Sequence, residues 1–182
     1  MSKPTADPFN DEFHRLLGRL VHAHARFDFN MGLQLRWLGP HNDVPVDHLL
    51  DVRVPFSHRL RALRPLVLAT FSPAGPKAKT EFEALFHRAD ETKALRNDYV
   101  HGRWGVPGRR VDGRPLLLFV PLHWNTEPSR PDDSIELSIE EFAEQVRDVE
   151  ALADDYHRLT KRYLAFAKPA KWYERQLAEG RD

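Results

Sequence analysis

Apolar residues return along the first third of the chain at three- and four-residue steps: Phe13, Leu16 and Leu17, Leu20, Phe27, Met31, Leu35 and Leu38. That spacing lays a stripe down one helix face and predicts a long helix over 9–38. Gly39-Pro40 follows and reads as its end. Residues 1–8 are polar and carry Pro4 and Pro8, which suits a disordered leader. After a connection over 41–55, Ser57 can cap a short helix bearing Leu60, Leu63 and Val67. Pro65 is expected to bend or end it, because proline lacks the backbone donor and crowds the preceding turn. Ser72-Pro73-Ala74-Gly75-Pro76 reads as a turn. Phe82, Leu85, Phe86, Ala89, Leu95, Tyr99 and Val100 then predict a helix over 79–101, with Gly102 as its stop.

Beyond Gly102 the period changes. Residues 105–108 read as a loop and Asp112-Gly113 as a two-residue hairpin turn. The strands on either side are 109–111 and 115–124, the second holding Leu116-Leu117-Leu118-Phe119-Val120. Residues 125–134 read as a polar loop. Ser138 with Glu141 is a capping-box pair opening the last long helix. Its apolar face continues through Ile139, Phe142, Val146, Val149, Ala153, Tyr156, Tyr163 and Ala167. The expected fold is mainly α, with a small β-hairpin insert (residues 105–137) before the last long helix.

Composition narrows the function. The 182 residues suffice for one domain and are short for two, so a single domain over 1–182 is expected. Twenty-seven basic side chains balance 27 acidic ones, which argues against a polycation that packages nucleic acid. An enzyme acting on RNA needs only a local basic site. There is no cysteine, hence no disulfide and no thiolate chemistry. Met1 to Glu12 lacks the apolar core of an export signal, and no run approaches membrane-spanning length, so a cytoplasmic protein without a membrane partner is expected. Among the ten histidines, His24 with Asp28 has usable i, i+4 spacing, but there is no HExxH pair and no second ligand couple. Neither a metal site nor a cofactor is expected. Phosphate-cradling glycine loops and a GxSxG elbow are absent.

The candidate chemistry lies in Leu95-Arg96-Asn97-Asp98-Tyr99-Val100-His101-Gly102-Arg103-Trp104. His101 falls in the last turn of a helix, where the partial negative charge favours imidazolium. A neighbouring arginine pushes the other way, and an imidazole so balanced can take and give a proton near neutral pH. Asn97 and His101, four apart, share a face. Arg96 and His101 differ by about 140° around an ideal helix, so one copy does not bring them to one face. Arg103, Arg109, Arg110 and Arg114 follow closely; they form either a positive rim for a polyanion or charges that discourage edge pairing of the hairpin.

Arginine, then Asn97, then histidine and glycine, with Trp104 shortly after, resembles the signature of the HEPN superfamily (higher eukaryotes and prokaryotes nucleotide-binding domains). The likeness extends loosely from Phe13 to Tyr163. It implies an up-and-down bundle of about four helices, commonly a homodimer, with a metal-independent endoribonuclease site where two copies of the motif helix meet. Such pairing would answer the angular objection. On this resemblance His101 moves the proton in a 2′-hydroxyl transesterification, Arg96 stabilises the phosphorane-like charge and Asn97 fixes the imidazole or the phosphate. Family members often carry an acidic residue in the first helix, which makes Asp28 a candidate to orient His101 or Arg96, or else half of a buried structural pair. Arg103, Arg109, Arg110 and Trp104 are candidate substrate contacts. Some relatives carry a tyrosine two residues after the histidine, where a partner enzyme modifies them; Arg103 stands there and weakens that version.

The implied partners are an RNA substrate, a second copy and a cognate antitoxin or regulatory protein, in a toxin–antitoxin or defence setting. The alternative is a non-catalytic HEPN-like module that binds nucleotide or protein. Beside both stands a structural reading, with Arg96 a solvated ion-pair partner and His101 a polar helix terminator.

Overall fold

The first helix passes through Gly39-Pro40 instead of stopping there. In the computed structural model, which describes residues 8–101, 103–104, 108–109, 115–120, 135–171 and 178, α1 spans Pro8–His41. Proline is tolerated in this last turn because it forfeits one hydrogen bond while its fixed φ remains helical. The stop is built two residues later. Val44 N donates to Gly39 O at 2.8 Å, Asp43 N donates to Pro40 O at 3.2 Å, and Asp43 sits at φ 60°. This is the left-handed cap that usually takes glycine. Asp43→Gly is expected to raise stability by about 0.5–1 kcal/mol, read as a higher melting temperature, since glycine relieves the left-handed strain. A lower melting temperature would show that the Asp43 side chain contributes more than the strain costs. Gly39 is needed for a different reason: a Cβ there would lie 2.5 Å from a Val46 methyl.

Helix α2 (Phe56–Phe71) also departs from expectation. Pro55, not Ser57, precedes its first turn, and the helix continues past Pro65. Leu66, Val67, Thr70 and Phe71, all beyond the proline, are buried. Burying three large apolar side chains is worth roughly 1.5–3 kcal/mol each, which outweighs the roughly 3 kcal/mol cost of an interior proline. A 3-10 turn, Ser72–Ala74, and Gly75 at φ 90° lead into α3 (Pro76–His101).

The sheet is larger than a single hairpin. Strand β1 (Arg103–Trp104) and β2 (Gly108–Arg109) both pair antiparallel with β3 (Pro115–Val120). Trp104 faces Phe119 and Gly108 faces Leu116, so the register steps by one residue between the two pieces. The expected Asp112-Gly113 turn lies outside the described residues. Strand β4 (Ile135–Leu137), read as loop and cap from the sequence, pairs antiparallel with β3. Helix α4 (Ile139–Tyr163) then opens on the expected capping box. Ser138 N donates to Glu141 Oε2 at 2.6 Å, and Glu141 N donates to Ser138 Oγ at 3.1 Å.

The described residues fall into two compact units, one from Met1–His24 and Ala94–Ala151, the other from Ala25–Lys93 and Leu152–Asp182. In the second unit four helices pack around one core, as expected of a bundle. Phe27, Met31 and Leu35 of α1 meet Leu63 and Phe71 of α2, Phe82 and Phe86 of α3, and Leu152 and Tyr156 of α4. Thr70 ties the helix ends: its Oγ1 accepts from Asn42 Nδ2 and its carbonyl from Lys168 N, both at 2.9 Å. In the first unit Phe13, Leu16 and Leu20 pack with Tyr99, Leu137, Phe142 and Val146. The fold is mainly α, with four long helices and a small antiparallel sheet before the last. Among the described residues no helix is long and apolar enough to cross a membrane.

Candidate functional site

The end of α3 is held by Tyr99. Its ring is buried against Phe142 with centroids 5.3 Å apart, and its hydroxyl donates to Gln145 Oε1 at 2.6 Å. Aromatic burial and a satisfied hydroxyl together fix the rotation of the last two turns against α4. Tyr99 is therefore core, as its place in the apolar stripe suggested. Gln145 is a positioning residue that the sequence did not single out, since nothing local connects two residues 46 positions apart.

With Tyr99 turned inward, Arg96 comes to a half-buried position and Asn97 to an exposed one. Arg96 Nη1 donates to Asn97 Oδ1 at 3.0 Å, so these two candidates are brought together. The charge state of the neighbourhood matters more than that bond. Among the described residues four arginines are half-buried: Arg19, Arg59, Arg88 and Arg96. Arg19 is held by Glu150, Arg59 by Asp28 and Arg88 by Asp155, each at 2.6 Å. Arg96 alone of the four has no carboxylate partner among the described residues. A guanidinium partly withdrawn from water and not neutralised favours an incoming anion, and its planar fork suits phosphate oxygens.

His101 is the last residue of α3, and its side chain lies outside the described residues, as does Asp98's. Arg103 and Trp104 form β1 and Arg109 ends β2; their side chains, and Arg110 altogether, are outside as well.

Asp28 has a defined partner. Its Oδ2 accepts from Arg59 Nη2 at 2.6 Å, with side-chain exposures of 27% and 13%. By residue type Arg59, Arg61 and Arg64 of α2 all suit a solvated face. Arg61 and Arg64 are indeed exposed, but Arg59 turns inward onto α1. Asp28 Oδ1 and Arg59 Nε, also buried, have no partner. Removing either side chain leaves the other's charge half-buried, with an expected loss of about 1–2 kcal/mol after discounting for solvent screening. The double variant Asp28→Ala/Arg59→Ala should lose little more than either single one, a non-additivity that urea unfolding measures. If Asp28→Ala instead abolished activity with an unchanged melting temperature, the carboxylate would belong to the reacting site.

Among the described residues no group of three or more histidine, aspartate or glutamate side chains is placed to hold one metal ion. No family model matches the chain, and neither a curated protein nor a solved structure matches it.

Proposed function

We propose that this chain is a metal-independent endoribonuclease that works as a homodimer through Arg96 and His101. The observation that carries the reading is the half-buried Arg96 guanidinium, free of any carboxylate among the described residues, five positions before the histidine that ends α3. The HEPN-like string from Arg96 to Gly102 supplies the reaction class. In that reaction the ribose 2′-oxygen bonds to the adjacent phosphorus, the bond to the 5′-oxygen breaks, and a 2′,3′-cyclic phosphate remains. His101 takes the 2′-hydroxyl proton or delivers one to the departing 5′-oxygen. Arg96 binds the phosphate oxygens where charge accumulates. Asn97, bonded to Arg96, holds the guanidinium plane. Two-fold pairing of α3 ends is what the resemblance implies, and it would answer the helical angle between Arg96 and His101. Trp104, Arg103, Arg109 and Arg110 remain the candidates to contact flanking nucleotides. A toxin or defence role and a cognate inhibitor belong to the same proposal and rest on the resemblance.

The test is cleavage of mixed-sequence RNA in excess chelator by the purified chain, with His101→Ala alongside. Cleavage leaving 2′,3′-cyclic ends, lost in His101→Ala while the dimer persists by light scattering, is the expected result. A silent wild type across varied RNAs would favour the binding module. Equal cleavage by the variant would remove His101 from the reaction.

A further inference from the structure

The junction of α2 and α3 holds a cleft with a volume of ≈ 650 Å³, lined by Leu68, Phe71, Ser72, Gly75, Pro76, Lys79 and Phe82. All belong to the second unit, and none is among the ribonuclease candidates. The volume lies within the roughly 300–1,000 Å³ usual for small-molecule sites, which are mostly apolar with few polar groups. Here the accessible apolar wall is Leu68 and Pro76, backed by the buried stacked pair Phe71 and Phe82, whose rings lie 5.1 Å apart and 22° from parallel. Among the described residues the only charged side chain lining the cleft is Lys79, with the Ser72 hydroxyl as a second polar group.

The placement of that lysine runs against local rules. Lys77 and Lys79 occupy the first turn of α3, which has no acidic residue. The partial positive charge of a helix start favours acids there and disfavours lysines. No carboxylate forms an ion pair with either lysine among the described residues. The neighbouring cleft on α3 and α4 is a useful contrast. Its arginines Arg88, Arg158 and Arg162 are already matched by Asp155 and Glu81, at 2.6 to 2.9 Å, and call for no ligand. Glu81, one turn on, attracts Lys77; Lys79 is the one of the two that lines the cleft, and a local rule broken there marks a candidate functional position.

We propose that this cleft binds a free small monocarboxylate with an apolar body, the body against Leu68 and Pro76 and the carboxylate on Lys79. Gly75, at φ 90° and with open space where a Cβ would stand, keeps the mouth clear beside Lys79. Apolar burial supplies the affinity and the single cation selects the acid over its neutral analogue. The site is independent of the ribonuclease reading.

Octanoate and 1-octanol, titrated into the full chain and followed by amide chemical shifts, separate the possibilities. Octanoate is expected to move the resonances of residues 68–82 and to bind tighter than the alcohol. Lys79→Gln, an exposed change that leaves the fold intact, should raise the octanoate dissociation constant about tenfold, the value of one charge-assisted hydrogen bond. Leu68→Trp, which fills the cleft, should abolish the shifts while its circular dichroism stays native. An alcohol that binds as tightly as the acid, a Lys79→Gln constant equal to wild type, or shifts that avoid residues 68–82 would each overturn the proposal.

Discussion

Arg96→Ala is expected to lower RNA cleavage by about 10²–10³-fold, the usual cost of deleting one preorganised donor to a developing oxyanion. Stability should barely change, by less than about 0.5 kcal/mol, because no buried carboxylate loses its partner. Among the described residues Arg96 gives up only the 3.0 Å bond to Asn97, an exposed side chain. That pairing of outcomes separates a reacting group from a structural one. At Arg19, Arg59 or Arg88 the same substitution would strand a carboxylate 2.6 Å away. Arg96→Lys should fall between, since lysine keeps the charge and loses the two-pronged geometry. Cleavage rates in chelator and melting temperatures, taken on the same preparations, decide the matter. Undiminished cleavage by Arg96→Ala would sink the assignment, and so would a loss of rate that merely follows a loss of folding.

Phe82→Ala should lower the unfolding free energy by about 3–5 kcal/mol, the range for deleting a fully buried aromatic ring. Phe82 has no exposed surface. Its ring stacks on Phe71 and meets Tyr163 at 6.0 Å and Tyr156 at 6.5 Å, so it joins α2, α3 and α4 at one point. The surrounding rings are themselves anchored, Tyr163 by its hydroxyl on Glu81 at 2.7 Å, which limits collapse into the void. The same bond is the first cause of a Glu81 carboxyl held below its usual range, with attraction from Arg162 adding to it. Urea unfolding followed by circular dichroism reads the loss as a lower midpoint at constant slope. A loss under about 1 kcal/mol would mean that the core of the second unit is not organised around this ring.

How the helices form was largely legible in the sequence, because helical period and capping chemistry are local. The stripe from Phe13 to Leu38 is buried throughout except for the half-buried Leu17, and Ser138 and Glu141 close the box that their spacing announced. Whether a proline ends its helix is not local in this sense. Pro40 and Pro65 carry a local cost that the chain alone cannot weigh against burial supplied by distant residues. Strand β4 escaped notice because three residues are too few to show alternation, and its pairing with β3 bridges a long sequence interval.

The site divides along the same line. Sequence by itself determined which residues are the candidates, that they lie at the end of a helix, and that Asn97 follows Arg96. Only the tertiary structure decided which arginines are neutralised. Asp28 meets Arg59 across 31 positions, Asp155 meets Arg88 across 67, and Arg96 meets no acid at all among the described residues. Ion pairing is set by distance in space and by burial, which weakens water's screening, and neither is encoded in residue spacing once the partners stand on different helices.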